Sequence, residues 1–229
     1  MKMWQTIRGA ALGWHKHQEK YAALVLSGAY EEAGDQGRFR VGPGDVVLHD
    51  RFEAHVDRFP VTGARVLNLR LAESSSFKAG VAKVSDVDLV VRTAELDEVG
   101  AAEFLLEMAQ EQDTVHVDWP DELATMLIKD PSVRLGAWAE KHGLAAWDVS
   151  RGFAKVFGIS PAAFRARARA RLAWKAIRGT EEPLAVIAAD LGFADQSHMT
   201  RSVNAMTGAA PGAWRSAANG FKTRSRTNV

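Results

Sequence analysis

Two periods divide the chain. Up to about residue 93, apolar residues come in short stretches broken by glycine and proline. Residues 21–27 are one such run and residues 45–48 another, bounded by turn residues such as Gly28 and Pro43-Gly44. In residues 65–71, Leu67, Leu69 and Leu71 alternate with Val66, Asn68 and Arg70, so the leucines face one side of a strand. Many short strands with frequent turn signals predict a small barrel or sandwich.

From Ala94 the period lengthens. Leu96 and Val99, then Leu105, Met108 and Ala109, recur at helical spacing, with Asp97 and Glu98 near the helix start where the macrodipole favours them. Residues 113–119 have no clear period and read as a linker. Beyond them a helical pattern continues almost to Ala217, and the basic stretch 221–226 reads as disordered. The predicted organisation is α+β and multidomain: a barrel over 1–93, a connector or dimerisation helix with linker over 94–118, an all-α region over 119–217 and a tail over 218–229.

The all-α region repeats a unit of two helices. In the second copy Leu184, Ile187, Ala188 and Leu191 make one buried helical face, and Gly192 stops that helix because glycine takes the left-handed conformation without strain. Phe193 packs beneath the turn, and a following helix buries Met199, Val203 and Met206 before Gly208. Its outward side carries Asp195, Gln196, Ser197, Thr200 and Arg201. The first copy has Leu135, Trp138, Ala139 and His142, a turn at Gly143, and a helix burying Val149, Phe153, Val156 and Phe157 up to Gly158. Ala146, Trp147, Ser150, Arg151 and Lys155 are left outward. A short helix, a sharp turn and a second helix with a polar N-terminal half is the geometry that enters a DNA major groove. Gly152 inside the first of these outward helices should cost about 1 kcal/mol against alanine, which tertiary packing must offset.

Charge sharpens that reading. Residues 1–115 hold 13 Lys+Arg against 18 Asp+Glu, a balance of −5, whereas residues 131–229 hold 15 against 6, a balance of +9. A polyanion partner is expected for the basic half only. Between the two units, a helix from Ala162 to about Arg178 buries Phe164, Ala168 and Leu172. Arg165 and Arg169 flank that stripe on one side, Arg167 and Arg171 on the other. Such a spacer, roughly 25 Å long, suits two outward helices in successive major grooves. There is no cysteine, which excludes disulfides and thiolate metal ligands. No apolar run reaches the ~18 residues of a membrane span, and Met1–Thr6 leads into no secretory h-region, so a cytoplasmic protein is expected.

The run from Gly192 to Arg201, with Gly208, Pro211 and Trp214-Arg215, resembles the signature of the AraC/XylS family of transcription regulators. The first unit is similar through Ala139, Gly143, Ser150-Arg151, Phe153 and the stretch from Gly158 to Phe164. The resemblance implies a sensor domain joined to a double helix-turn-helix, sequence-specific DNA binding, RNA polymerase as partner, and dimerisation. Two departures stand out. Ala145 and Ala194 occupy positions where the family often has a capping Ser, Thr or Asn, so the start of each outward helix is expected to rely on packing. Val203 and Met206 replace bulkier aromatics. Arg151 and Arg201 are the expected base readers, since a guanidinium bonds guanine O6 and N7 together. Gln196 and Ser197 sit where first-turn amides also attract phosphate. Arg167 and Arg169 are expected on the phosphate backbone.

The N-terminal region carries a second pattern. Gly9, His15-Lys16-His17, Tyr21 and Gly28 have the spacing of the first cupin motif, and Gly44, Asp50 and His55 fit the second. The fold expected is therefore a cupin-like β-barrel. His15 and His17 alternate on a strand and point to one side. In metal-binding cupins the positions of His15, His17 and His55 are ligands, and a glutamate stands where this chain has Tyr21. Three imidazoles suit Zn²⁺, Ni²⁺ or Fe²⁺ with an open position. Alternatively His15, His17, Tyr21 and His55 line a pocket for a small effector. The leading reading is a non-enzymatic regulator. The alternative is a metal-dependent cupin oxygenase or isomerase with an appended DNA-binding domain.

Overall fold

Glycine and aspartate punctuation cuts the N-terminal half into short strands. In the computed structural model, which describes residues 2–112 and 118–217, these pair into two antiparallel sheets. One has the order β1 (Trp4–Ile7), β8 (Ala64–Arg70), β3 (Tyr21–Gly28), β6 (Asp45–His49), β9 (Gly80–Val84), β10 (Ala109–Glu111). The other has the order β2 (Ala11–Lys16), β7 (Ala54–Arg58), β4 (Tyr30–Gly34), β5 (Gly37–Val41). Closing a barrel would require the edge strands of one sheet to pair with those of the other. No such ladder is present among the described residues, and the two sheets are open.

The expected strand β8 is present, and Leu67, Leu69 and Leu71 join one apolar cluster. Val66 and Asn68 are buried as well, on the opposite face, because β8 is covered on both sides. Its leucine side meets two helices, α1 (Val87–Ala94) and α2 (Glu98–Met108), through Val90, Ala94, Ala101, Ala102 and Leu105. Each fully buried leucine or valine there contributes roughly 1.5–3 kcal/mol.

Helix α1 begins earlier than the period starting at Ala94 predicts. Asp86 accepts from Leu89 N at 2.9 Å and starts it within the region assigned to strands. The chain then breaks, and Asp97 caps α2 by accepting from Val99 N. Restarting the helix resets its phase. Leu96 and Val99, expected on the buried stripe, are consequently 93% and 67% exposed, while Ala101, Ala102 and Leu105 are inside. Ala109 leaves the helix altogether and opens β10.

The C-terminal half is helical as expected: α3 (Trp119–Lys129), α4 (Leu135–Lys141), α5 (Ala146–Phe157), α6 (Pro161–Gly179), α7 (Leu184–Asp190), α8 (Gln196–Thr207) and a further helical stretch over 211–217. Residues 113–117 of the expected linker and the tail 218–229 lie outside the described residues. Ser160 accepts from Ala163 N and Pro161 occupies the first turn of α6, where its missing N–H costs nothing. One side of α6 buries Phe164, Ala168, Trp174 and Ile177, and α7 and α8 pack against it. The described chain divides into two compact units, residues up to Glu122 together with Gly152–Ile159, and Leu123–Arg151 with the residues from Ser160 on. Among the described residues no helix is long and apolar enough to cross a membrane.

Candidate functional site

Between the two sheets lies a cavity of about 150 Å³ whose wall is unusually rich in titratable groups: His15, His17, Tyr21, Glu32, His49, His55 and Asp57 among others. That volume is enough for a molecule the size of benzene. Antiparallel pairing assembles the wall. Tyr21 on β3 stands opposite His49 on β6, and His15 on β2 stands opposite His55 on β7. Tyr30 and Glu32 alternate on β4, so both side chains take the same face.

The three histidines singled out by the sequence do converge. His15, His17 and His55 each offer a donor nitrogen, and those atoms lie within 4.8 Å of one another. Ring centroids are 5.1 Å apart for His15–His17, 4.4 Å for His15–His55 and 5.4 Å for His17–His55. The Nδ1 of His15 is 2.8 Å from the Gly13 carbonyl, which fixes its proton there and leaves Nε2 facing Asp57 at 3.8 Å. Tyr21 is also at hand, its ring 4.6 Å from that of His17. Burial, reinforced by the Glu32 carboxyl, holds the Tyr21 phenol well above its usual range. A neutral phenol does not replace the anionic glutamate that the cupin resemblance places at this position.

The motif spacing misses two members of the cluster. Glu32 and His49 are 4% and 2% exposed. Glu32 Oε1 is 3.5 Å from His55 Nδ1, and Glu32 Oε2 is 3.6 Å from His49 Nε2. On its other side His55 Nε2 is 3.7 Å from Asp57 Oδ2. Tyr21 stacks on His49 at 4.2 Å between centroids. Burial and the neighbouring Asp57 and Glu53 push the Glu32 carboxyl well above the carboxylate range, while a hydrogen bond from Tyr30 pulls the other way. Asp57 is pushed up to about 7, also by burial. His17 is lowered to about 4 by burial and by the imidazoles of His15 and His49. The only signal in the sequence is a carboxylate alternating with Tyr30 in a strand, and a histidine closing the apolar run that follows it.

The helix-turn-helix units present their polar residues as the spacing predicts. Gly143, Gly158, Gly192 and Gly208 all adopt positive φ, between 65° and 79°. In α8, Met199, Val203 and Met206 are buried, while Asp195, Gln196, Ser197 and Arg201 are exposed and Thr200 is half-buried. In α5, Val149, Phe153 and Phe157 are buried, while Ala146, Trp147, Ser150, Arg151 and Lys155 are exposed. The Arg151 guanidinium lies 4.4 Å from the centre of the Trp147 ring.

Two details differ from expectation. Helix α8 does not rely on packing alone for its start: Asp195 is its N-cap and accepts from His198 N at 2.6 Å, one residue beyond Ala194. Arg169, expected on phosphate, is half-buried and donates to the carbonyls of Gly192 at 2.9 Å and Pro131 at 3.2 Å. Its guanidinium also lies 5.6 Å from the Phe193 ring. These bonds brace the turn of the second unit from within. Arg167 is half-buried too.

Residues 138–217 match a family model described as a helix-turn-helix domain. This stretch of the chain is a helix-turn-helix domain. Among solved structures, the C-terminal domain of AraT, a response regulator from Geobacillus stearothermophilus, is 21% identical with a TM-score of 0.39, over 43% of this chain and 84% of that one. A probable AraC family transcriptional regulator from Rhodopseudomonas palustris CGA009 is 20% identical with a TM-score of 0.39, over 42% and 93%. ToxT from Vibrio cholerae, solved with an unsaturated fatty acid bound, is 10% identical with a TM-score of 0.43, over 93% and 94%. No curated protein matches the chain.

Proposed function

We propose that the chain is a sequence-specific, non-enzymatic regulator of transcription, acting in the cytoplasm with RNA polymerase as its partner. Two helix-turn-helix units read successive major grooves, and a small effector or a divalent metal ion in the N-terminal cavity controls them. The observation that carries this reading is α8: a helix capped at Asp195, closed at Gly208, and bare of apolar groups along Gln196, Ser197 and Arg201. Exposed polar side chains on the N-terminal half of such a helix are what base edges require. Ala146, Trp147, Ser150, Arg151 and Lys155 repeat the arrangement on α5. His15, His17 and His55, with Tyr21, are the groups offered to the effector. The exposed Leu96, Val99 and Phe104 favour a homodimer. The alternative of a metal-dependent cupin enzyme finds no support in the matched families. Footprinting of the full chain across its own genome tests the proposal. Discrete protected sites sharing one sequence are expected, and uniform protection without sequence preference overturns it.

A further inference from the structure

Deeper in the cavity than His15 lie Glu32, His49 and His55, all buried, each offering one donor atom within 4.8 Å of the others. Their closest approaches, 3.5 and 3.6 Å, are too long for good hydrogen bonds. Bonds of ~2.1 Å in a tetrahedron place neighbouring ligands about 3.4 Å apart, close to the approach of each imidazole to its own Glu32 oxygen, His55 to Oε1 and His49 to Oε2, so that both carboxylate oxygens are offered to one ion. His49 Nε2, in a residue 2% exposed, hydrogen-bonds to none of the described residues and is aimed at the Glu32 carboxylate across that gap. A buried polar atom normally has a partner.

The surroundings are those of a metal centre. A ligating imidazole usually turns its other nitrogen to a carboxylate, which fixes its tautomer and orientation. Both imidazoles here face a carboxylate on that side, at contact rather than hydrogen-bonding distance: His55 Nε2 is 3.7 Å from Asp57 Oδ2, and His49 Nδ1 is 3.5 Å from Glu53 Oε2. Glu32 is in turn hydrogen-bonded by Tyr30, and Glu53 by Gln36.

We infer that Glu32, His49 and His55 bind one divalent transition-metal ion of the zinc class, which takes imidazole and carboxylate donors at this spacing. A fourth position remains for water or a small ligand in the cavity. This site is not the His15–His17–His55 set that the cupin pattern implies, and Glu32 supplies the carboxyl donor that Tyr21 does not. Metal binding here stands apart from gene regulation. Only its consequence for DNA rests on reading the cavity as the effector chamber.

The test uses the full chain without a His-tag, stripped with chelator and titrated with Zn²⁺ by calorimetry and with Co²⁺ by visible absorption. One ion per chain is expected, with the Co²⁺ spectrum of a four-coordinate site. Glu32→Gln and His49→Gln should each weaken binding at least ~10-fold, and His15→Ala should leave it unchanged. Glu32→Gln alters the side chain least and decides the matter should His49→Gln fail to fold. Loss of binding in His15→Ala with retention in Glu32→Gln places the ion on the outer histidines and overturns the inference. So does the absence of uptake by folded protein, or uptake indifferent to all three changes. Operator affinity is then compared with and without Zn²⁺ on the same samples. A bound ion that leaves that affinity unchanged overturns the effector reading of the cavity and leaves the metal site standing.

Discussion

Gly34 and His55 are cross-strand partners on β4 and β7, set so close that a Cβ at position 34 would lie 2.6 Å from His55 Cβ. The imidazole at the centre of the cavity therefore owes its position to a missing methyl group on the next strand. Gly34→Ala should destabilise the fold by about 1–3 kcal/mol, because an overpacked site shifts backbone. It should also displace His55 from Glu32. Urea unfolding and the His55 ring signals in NMR check both; unchanged stability with an unmoved ring would refute the pairing.

Gly152 should defy its usual rule. Alanine in mid-helix normally stabilises by about 1 kcal/mol relative to glycine. Here a Cβ would sit 2.5 Å from Cζ2 of the Trp119 ring. Gly152→Ala is therefore expected to lower stability, and Trp119→Leu to relieve most of the loss. The packing that offsets this glycine's cost is thereby identified, and a thermal-melt double-mutant cycle measures it.

Arg151 and Arg169 should separate cleanly. Arg151→Ala and Arg201→Ala each remove an exposed guanidinium and should cost about 1–3 kcal/mol at one operator position, relaxing specificity there. Arg169→Ala removes the bonds to Gly192 and Pro131, so a lowered melting temperature is its first effect. Quantitative binding to operator variants, set beside melting curves, distinguishes the roles. Equal loss of specificity in Arg169→Ala with unchanged stability would contradict its bracing role.

Acid should loosen the metal-free protein through His17. Its folded pKa of about 4 is below the ordinary value of 6.5, so the unfolded chain binds the extra proton between those values. The stability it contributes is complete above about pH 6.5 and is lost as pH falls towards 4. Asp57, raised from 3.8 to about 7, acts oppositely: the folded state holds the extra proton, and stability falls as pH rises through that window. His17→Asn should flatten the acid-side loss. Asp57→Asn should gain stability relative to the native chain at about pH 8 more than at about pH 5. Denaturant midpoints across pH in chelator check both signs.

Much of the C-terminal half is legible in the sequence because its signals are local. Each turn glycine and each apolar position three or four residues apart reports on its own neighbourhood, and Ile187, Met199 and Val203 are buried as the spacing predicts. What stays concealed is non-local or depends on phase. Leu96 and Val99 fit a helical period, but Asp97 restarts the helix and turns them outward. Asp195 is visible as an outward polar residue, yet its capping role depends on backbone geometry one residue from where the family pattern looks. Glu32 and His49 belong to no motif. They meet only because β4 and β6 lie in different sheets that face the same space, and no spacing along the chain encodes that.

Both tyrosines of the chain, Tyr21 and Tyr30, stand in the cavity wall. The protein thus carries a pair of reporters in the cavity proposed for the effector and none elsewhere. Fluorotyrosine incorporated during growth would give a fluorine spectrum of two resonances, free of background from the helices. Ring stacking on His49 makes one of them sensitive to the imidazoles, and hydrogen bonding to Glu32 makes the other sensitive to the carboxylate. Screening of ions and small molecules can then proceed by spectroscopy before any operator is known.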